Sequence, residues 1–247
     1  MDWPQGYGRR VLAAVDSTNA EAARVAAGLA GPEWILGLRQ TAARGRRGRA
    51  WVNPEGNFAA TLVMRPTETP DRVALRSFVA ALALYDALER VTGTAIGLSL
   101  KWPNDVLLNG GKLAGILLES IGGPGGHLAI GVGVNLLAAP AVAEVEAGAV
   151  TPVALLPEIG VRVTPEAFLA ALATAFATHE ARFVTYGFEP IRSLWLQRAA
   201  RLGEVLTART ARDTVTGVFE TVDATGQLVL KTPKGRVTVA AADIFFG

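Results

Sequence analysis

Residues 101–119 read KWPNDVLLNGGKLAGILLE. Two apolar runs, Asp105 to Leu108 and Lys112 to Glu119, flank Asn109-Gly110-Gly111, a turn signal that tolerates positive φ and predicts a β-hairpin. Leu98 to Trp102 reads as a strand leading into it. Leu128 to Val134 reads as another, after the turn residues Gly122-Gly123-Pro124-Gly125-Gly126. A lysine opening an apolar strand is costly to bury unless it meets negative charge, so Lys112 is a candidate ligand for a carboxylate or phosphate. A strand-edge lysine that blocks aggregation is the alternative. Asn104-Asp105 offers oxygens to Mg²⁺ or simply starts a turn.

Upstream, Val11 to Val15 reads as a first strand, and Asp16-Ser17-Thr18-Asn19 leads into an alanine-rich helix to about Leu29. Thr18 and Glu21 have capping-box spacing. Ser17, Thr18 and Asn19 serve either as a cap or as polar groups that hold a ligand at the helix N-terminus. Trp34 to Leu38 and Phe58 to Met64 are further strands, and Asp71 to Val91 repeats its apolar residues at helical period. Downstream, Thr164-Pro165 opens a helix to about Tyr186. A second helix, near Glu189 to Ala200, turns Ile191, Leu194, Trp195 and Leu196 inward. After Leu202-Gly203 the pattern changes to short strands with turn punctuation, through Val239. The expectation is an α+β core with a mixed or antiparallel sheet over residues 1–201 and a small β-barrel over 202–247.

Between Glu33 and Glu55 lie five arginines and no carboxylate, four of them in Arg44-Gly45-Arg46-Arg47-Gly48-Arg49. The whole chain of 247 residues has a net charge of only +2, so basicity is local. Guanidinium groups bind phosphate bidentately and stay charged, and the glycines let backbone N–H groups face one concavity. A solvated loop or an RNA-binding Arg-Gly segment is the competing reading, but Trp51 is the only aromatic nearby for base stacking. Gly131-Val132-Gly133-Val134-Asn135 ends a strand where a ligand can approach the backbone, or where a sheet bends.

The chain has no cysteine and two histidines, His127 and His179, which argues against thiolate chemistry, disulfides, a multi-histidine metal centre and a serine triad. His179, between Phe176 and Phe183, reads as packing. With no signal-like N-terminus and no uninterrupted apolar span, the expectation is a cytoplasmic protein without a membrane partner.

The order STN, Q…RGRRGRxW, KWPND, KLAGILLE, GVGVN from Ser17 to Asn135 is similar to the biotin protein ligases, the biotin–[acetyl-CoA-carboxylase] ligases. The resemblance implies a class II synthetase-like core, a C-terminal SH3-like barrel, and a two-step reaction. MgATP activates biotin to biotinyl-5′-AMP, and the biotinyl group then passes to one lysine of the biotin carboxyl carrier protein of acetyl-CoA carboxylase or a related carboxylase. By the same resemblance, Ser17, Thr18, Asn19, Gln40 and the backbone of Gly115 hold biotin. Arg44, Gly45 and Arg46 lie in a closing loop, and Arg46, Arg49, Lys101 and Lys112 neutralise phosphates. Trp51 and Asn135 embrace adenine, and Asp105 lies near the adenylate and Mg²⁺.

A lipoate or octanoate ligase or transferase of related fold is the alternative enzyme, and an arginine-loop nucleic-acid module the alternative of another class. The family's loop begins with glycine where this chain has Ala43, and alanine forced to positive φ costs about 1 kcal/mol or more. Only about ten residues precede the first expected strand, so a monofunctional ligase without specific DNA binding is expected. A homodimer is left open.

Overall fold

The computed structural model describes residues 2–123, 125–145, 150–210 and 213–246. Seven strands form the main sheet: β1 (Gly8–Leu12), β2 (Glu33–Gly37), β3 (Phe58–Met64), β4 (Leu98–Lys101), β5 (Asp105–Leu108), β6 (Gly111–Ile121) and β7 (His127–Val134), in the order β1-β2-β3-β7-β6-β5-β4. Only β1 and β2 run parallel, so the sheet is mixed. The expected hairpin joins β5 to β6. Asn109 (φ 51°) and Gly110 (φ 79°) both take the left-handed region, as a two-residue type I′ loop requires. Pro124, in the turn before β7, lies outside the described residues.

Strand alternation divides the sheet faces. On β2 and β3, Trp34, Leu36, Phe58, Ala60 and Leu62 join the main core under α3 (Arg76–Thr92) and α5 (Pro165–Tyr186), while Ile35 and Val63 pack with Ala22 of α1 (Thr18–Val25) and with Ala26 just beyond its end. The α1 face is the one that holds the site. The first strand sits three residues earlier than expected. Its register with β2 runs from Gly8 to Leu12, and Val15 makes only an isolated bridge to Gln40.

The apolar period of 71–91 is split into α2 (Pro70–Ala74) and α3. Its buried stripe includes Arg76, whose Nη2 lies 2.7 Å from Glu180 and 2.8 Å from Glu68, pairing that burial of a charge requires. A short α4 (Leu155–Ile159), absent from the sequence expectation, precedes α5. The start of α5 is capped as read, with Thr164 Oγ1 accepting from the Ala167 N–H. On α6 (Phe188–Gln197), Ile191 and Trp195 are fully buried and Leu194 and Leu196 half-buried. His179 is buried, and its Nε2 lies 2.6 Å from Asp86 Oδ2, a polar contact that the packing expectation did not include.

The C-terminal strands β8 (Val205–Arg209), β9 (Thr214–Val222), β10 (Leu228–Thr232), β11 (Gly235–Val239) and β12 (Asp243–Phe246) form one antiparallel sheet in the order β11-β10-β9-β8-β12. No pairing of β11 with β12 closes it among the described residues, so the small barrel of the sequence expectation is an open sheet. Its inward residues Leu206, Phe219, Leu228 and Ile244 belong to the same core as α3 and α5, and Trp102 Nε1 donates to Gly226 O at 3.0 Å. That continuity fixes β12 against the main sheet.

Candidate active site

The floor of the site is made where strand alternation removes side chains. On β7, Leu128, Ile130, Val132 and Val134 face the core, and the intervening positions toward α1 are Ala129, Gly131 and Gly133. Gly133 pairs across the strands with Gly115 of β6, and the Trp51 indole lies on this bare patch. A Cβ added at Gly133 would fall 2.7–2.9 Å from three indole atoms, and one at Gly115 would fall 3.3 Å from the ring. Lys112 Nζ is 5.7 Å from the centre of the same ring.

The arginine run is a small hairpin rather than an open loop. Gly45 N–H donates to Arg49 O at 2.8 Å and Trp51 N–H to Ala43 O at 3.0 Å, so the position of Trp51 and that of the arginines are linked. The left-handed turn falls on Arg47 (φ 58°) and Gly48 (φ 73°), and Ala43 is not among the positive-φ residues. The cost expected for Ala43 is therefore not incurred. Arg46 turns inward, half-buried, with Nη1 donating to Asn104 Oδ1 at 3.2 Å. Desolvation lowers its pKa, opposed by Asp105 and Asp243. Arg47 and Arg49 instead reach one oxygen of Asp243 on β12, at 2.5 and 3.1 Å. Burial raises the Asp243 pKa, but Arg49 and the neighbouring guanidiniums outweigh it and the net direction is down.

Two ammonium groups meet at Asp105. Lys112 Nζ is 2.8 Å from one carboxylate oxygen and Lys101 Nζ 3.8 Å from the other. Lys101 is buried, with its Nζ 5.7 Å from the Phe246 ring centre; desolvation, with Lys112 and Arg46 adding repulsion, lowers its pKa. The expectation that Asp105 ligates Mg²⁺ does not fit this arrangement, because both of its oxygens face cations. Its neighbour Asn104 spends its amide on Ile116 O and Arg46. Among the described residues no group of three His, Cys, Asp or Glu could hold a metal.

At the start of α1 the capping box does not form. Ser17 is the N-cap residue and makes no side-chain cap, while Thr18, the first helical residue, turns its hydroxyl to Gln40 Oε1 (3.2 Å) and Thr61 Oγ1 (2.8 Å). Glu21 pairs with Arg24 and Arg10 instead. Asn19 is held between Thr61 and Glu119, 2.6 Å from each. Asn135, buried, donates from Nδ2 to Val153 O at 3.0 Å and leaves its Oδ1 unpaired.

One cavity of about 510 Å³ brings the two sides of the site together. Ser17, Thr18, Asn19, Gln40, Arg44, Gly45, Arg46, Arg49, Trp51, Lys101, Asp105, Lys112, Gly115 and Asn135, the whole set singled out in the sequence, line it. Across the sheet, the uncharged polar groups gather beside β2, β3 and β7, and the ammonium groups stand on β4 and β6. The cavity is of small-molecule size, with neutral hydrogen-bonding groups on one side and excess positive charge on the other. The sequence reading missed the wall supplied by Ala242, Asp243, Ile244 and Phe245, because it ended the C-terminal strands at Val239. The run Ile244-Phe245-Phe246 was the available signal.

Residues 11–135 match the model of the biotin/lipoate A/B protein ligase family, and residues 202–247 match that of the biotin protein ligase C terminal domain. The chain is 56% identical over 239 residues to a biotin–[acetyl-CoA-carboxylase] ligase of Paracoccus denitrificans, covering 96% of this chain and 100% of that one. It is 31% identical to the bifunctional ligase/repressor BirA of Bacillus subtilis, over 86% of this chain and 66% of that one. The fold is similar to that of a biotin protein ligase from Aquifex aeolicus in complex with biotin and ATP, with a TM-score of 0.84 at 24% identity, over 96% of this chain and 97% of that one.

Proposed function

The chain belongs to the biotin/lipoate A/B protein ligase family, and on that premise we propose that it is an ATP-dependent biotin protein ligase, which makes biotinyl-5′-AMP and transfers biotin to a lysine of a biotin carboxyl carrier protein. The observation that carries this reading is the single cavity in which an uncharged polar pocket around Ser17, Thr18, Asn19 and Gln40 adjoins the cations Arg46, Lys101 and Lys112. The first step forms a bond between the biotin carboxylate oxygen and the α-phosphorus, and breaks the bond to pyrophosphate. Two anions approach each other, so preplaced cations lower the barrier. Lys101 and Lys112, already held at Asp105, are the groups assigned to the α-phosphate, and Arg46 to the outer phosphates.

In the second step the carrier lysine amine attacks the biotinyl carbonyl, AMP leaves, and the amine loses its proton. No side-chain nucleophile takes part. The arginine hairpin and Trp51 cover the mixed anhydride against water. Trp51 offers the adenine a stacking surface, and the unpaired Asn135 Oδ1 suits an exocyclic amino group. Any Mg²⁺ is assigned to the nucleotide that brings it, since Asp105 is engaged by two lysines. We take residues 1–201 as the catalytic unit and 202–247 as a small unit that completes its wall.

Lipoate or octanoate carries no hydrogen-bonding head group, and the polar pocket would have no partner in either. The test is turnover by the purified chain with ATP, Mg²⁺ and biotin. Biotin-dependent pyrophosphate release and a labelled carrier lysine are expected. No release at saturating substrates refutes the reading, and lipoate-dependent labelling in place of biotin decides for the alternative.

A further inference from the structure

We propose that Thr61 and Glu119, neither of which lines the cavity, are positioning residues that fix the donor and acceptor polarity of the Thr18-Asn19 wall and so set its affinity for a cyclic urea. This inference rests on the ligase reading above and deepens it.

Proton counting carries the inference. Glu119 at the end of β6 is a carboxylate with acceptors only, so the group that Asn19 turns toward it, 2.6 Å away, must be the NH₂. Asn19 Oδ1 then faces Thr61 Oγ1, also at 2.6 Å, and only the threonine can donate. Thr61 is fully buried and has one proton, now committed. Its contact with Thr18 Oγ1 at 2.8 Å therefore holds only if Thr18 donates, and the other partner of Thr18, Gln40 Oε1 at 3.2 Å, is likewise an acceptor. Whichever it chooses, the Thr18 proton is used inside the wall. Toward the cavity Thr18 presents lone pairs alone.

The backbone N–H of Thr18 donates to Gln40 Oε1 at 2.8 Å, which turns the Gln40 NH₂ the other way. A single carboxylate on the sheet surface thus sets one direction through Asn19 to Thr61, and Thr18, its own proton taken by Thr61 or Gln40, is left as an acceptor beside a donor at Gln40. The urea of biotin has a carbonyl acceptor flanked by two N–H donors, and it suits a wall of mixed but fixed polarity. Space for this arrangement is built in. A Cβ on Gly131 would lie 2.3 Å from Asn19 Oδ1.

Thr61→Val keeps the shape and removes the relay, leaving Asn19 Oδ1 without its donor and the Thr18 hydroxyl with Gln40 Oε1 alone. The KM for biotin is expected to rise about tenfold, with kcat and the KM for ATP within about twofold. Thr61→Ser should restore the wild-type value. Glu119→Ala, at an exposed position where water replaces the carboxylate, should raise the biotin KM about threefold. Steady-state kinetics of adenylation read all three, alongside melting temperatures. An unchanged biotin KM in both Thr61→Val and Glu119→Ala overturns the positioning role, as does a loss shared by kcat and both KM values. If Thr61→Val does not fold, Glu119→Ala decides by the same criterion. A wild type without biotin-dependent turnover removes the ligase reading and this inference with it, whereas normal wild-type turnover with unaffected variants removes this inference alone.

Discussion

Gly133→Ala should disable the enzyme while leaving it folded. Gly133 has no positive φ, so alanine is sterically allowed by the backbone, and the whole effect comes from one methyl group. Built on the backbone, that methyl lies 2.7 Å from Trp51 Cε2, 2.8 Å from Nε1 and 2.9 Å from Cζ2. Carbon contacts settle at about 3.5–4.0 Å, so the indole must lift by roughly 1 Å. The movement does not stop at Trp51, whose N–H holds Ala43 O and so one end of the arginine hairpin that carries Arg46. A displacement of this size at a positioning group costs about 10²-fold in rate, and we expect that loss in kcat/KM for ATP, measured as biotin-dependent pyrophosphate release. Gly115→Ala is the internal control. It sits across the strands from Gly133, but its methyl would meet the ring at 3.3 Å, and a loss below about tenfold is expected. The half-exposed loop yields instead of the sheet, so both variants should melt within a few degrees of wild type. Equal activity of Gly133→Ala and wild type, or equal damage from the two substitutions, refutes the reasoning.

Lys101 should give adenylation an early alkaline limb, since burial and the neighbouring cations depress its pKa below the ordinary 10.5. Lys101→Arg, which stays charged, should lower the plateau of the pH profile but remove that limb; an unchanged limb assigns it to another group. The same depression has a stability sign. Between the folded pKa and 10.5 the unfolded chain binds more protons, so this group makes unfolding harder as pH rises through that window. Asp243→Asn cuts the shared pairing of Arg47 and Arg49, which is partly exposed, so about 1 kcal/mol is at stake. For a chain of this size the melting temperature should fall by about 2–4 °C, and the difference should vanish in 1 M salt; a larger, salt-independent drop contradicts a surface pairing.

Local pattern made the site legible where chemistry and backbone coincide. Asn109-Gly110-Gly111 signalled a hairpin turn, which forms with Asn109 and Gly110 in the left-handed region, and the glycines at 131 and 133 marked a strand where a ligand could approach the backbone or the sheet could bend. The arginine run was visible as local charge in a nearly neutral chain, and Lys112 because a lysine opening an apolar strand is costly to bury without an anion. What stayed hidden depends on distance along the chain. Asp243 meets Arg47 across 196 residues and Glu119 meets Asn19 across 100. Neither carboxylate carries any local sign of its partner. The capping box failed for a related reason: Thr18 had the right spacing to Glu21, but Gln40 and Thr61, brought in by β2 and β3, compete for its hydroxyl. The engagement of Asp105 by Lys101 and Lys112 was hidden in the same way, because they reach its carboxylate from β4 and β6, the strands on either side of its own.

The balance of charge in the cavity explains why so many cations can be kept together. Arg44, Arg46, Arg49, Lys101 and Lys112 line it against Asp105, Glu144 and Asp243, an excess of two positive charges in the ligand-free protein. Full neutralisation by carboxylates would leave phosphate nothing to gain, and no neutralisation would leave a repulsive cluster that burial makes worse. Partial neutralisation keeps the fold and preserves the attraction. The depressed pKa of Lys101 is the signature of that compromise, because its first cause is desolvation that Asp105 only partly offsets. On the proposed assignment, a triphosphate entering beside Lys101 would supply the missing negative charge and raise its proton affinity. Under that assignment, nucleotide binding and charge retention at Lys101 reinforce each other.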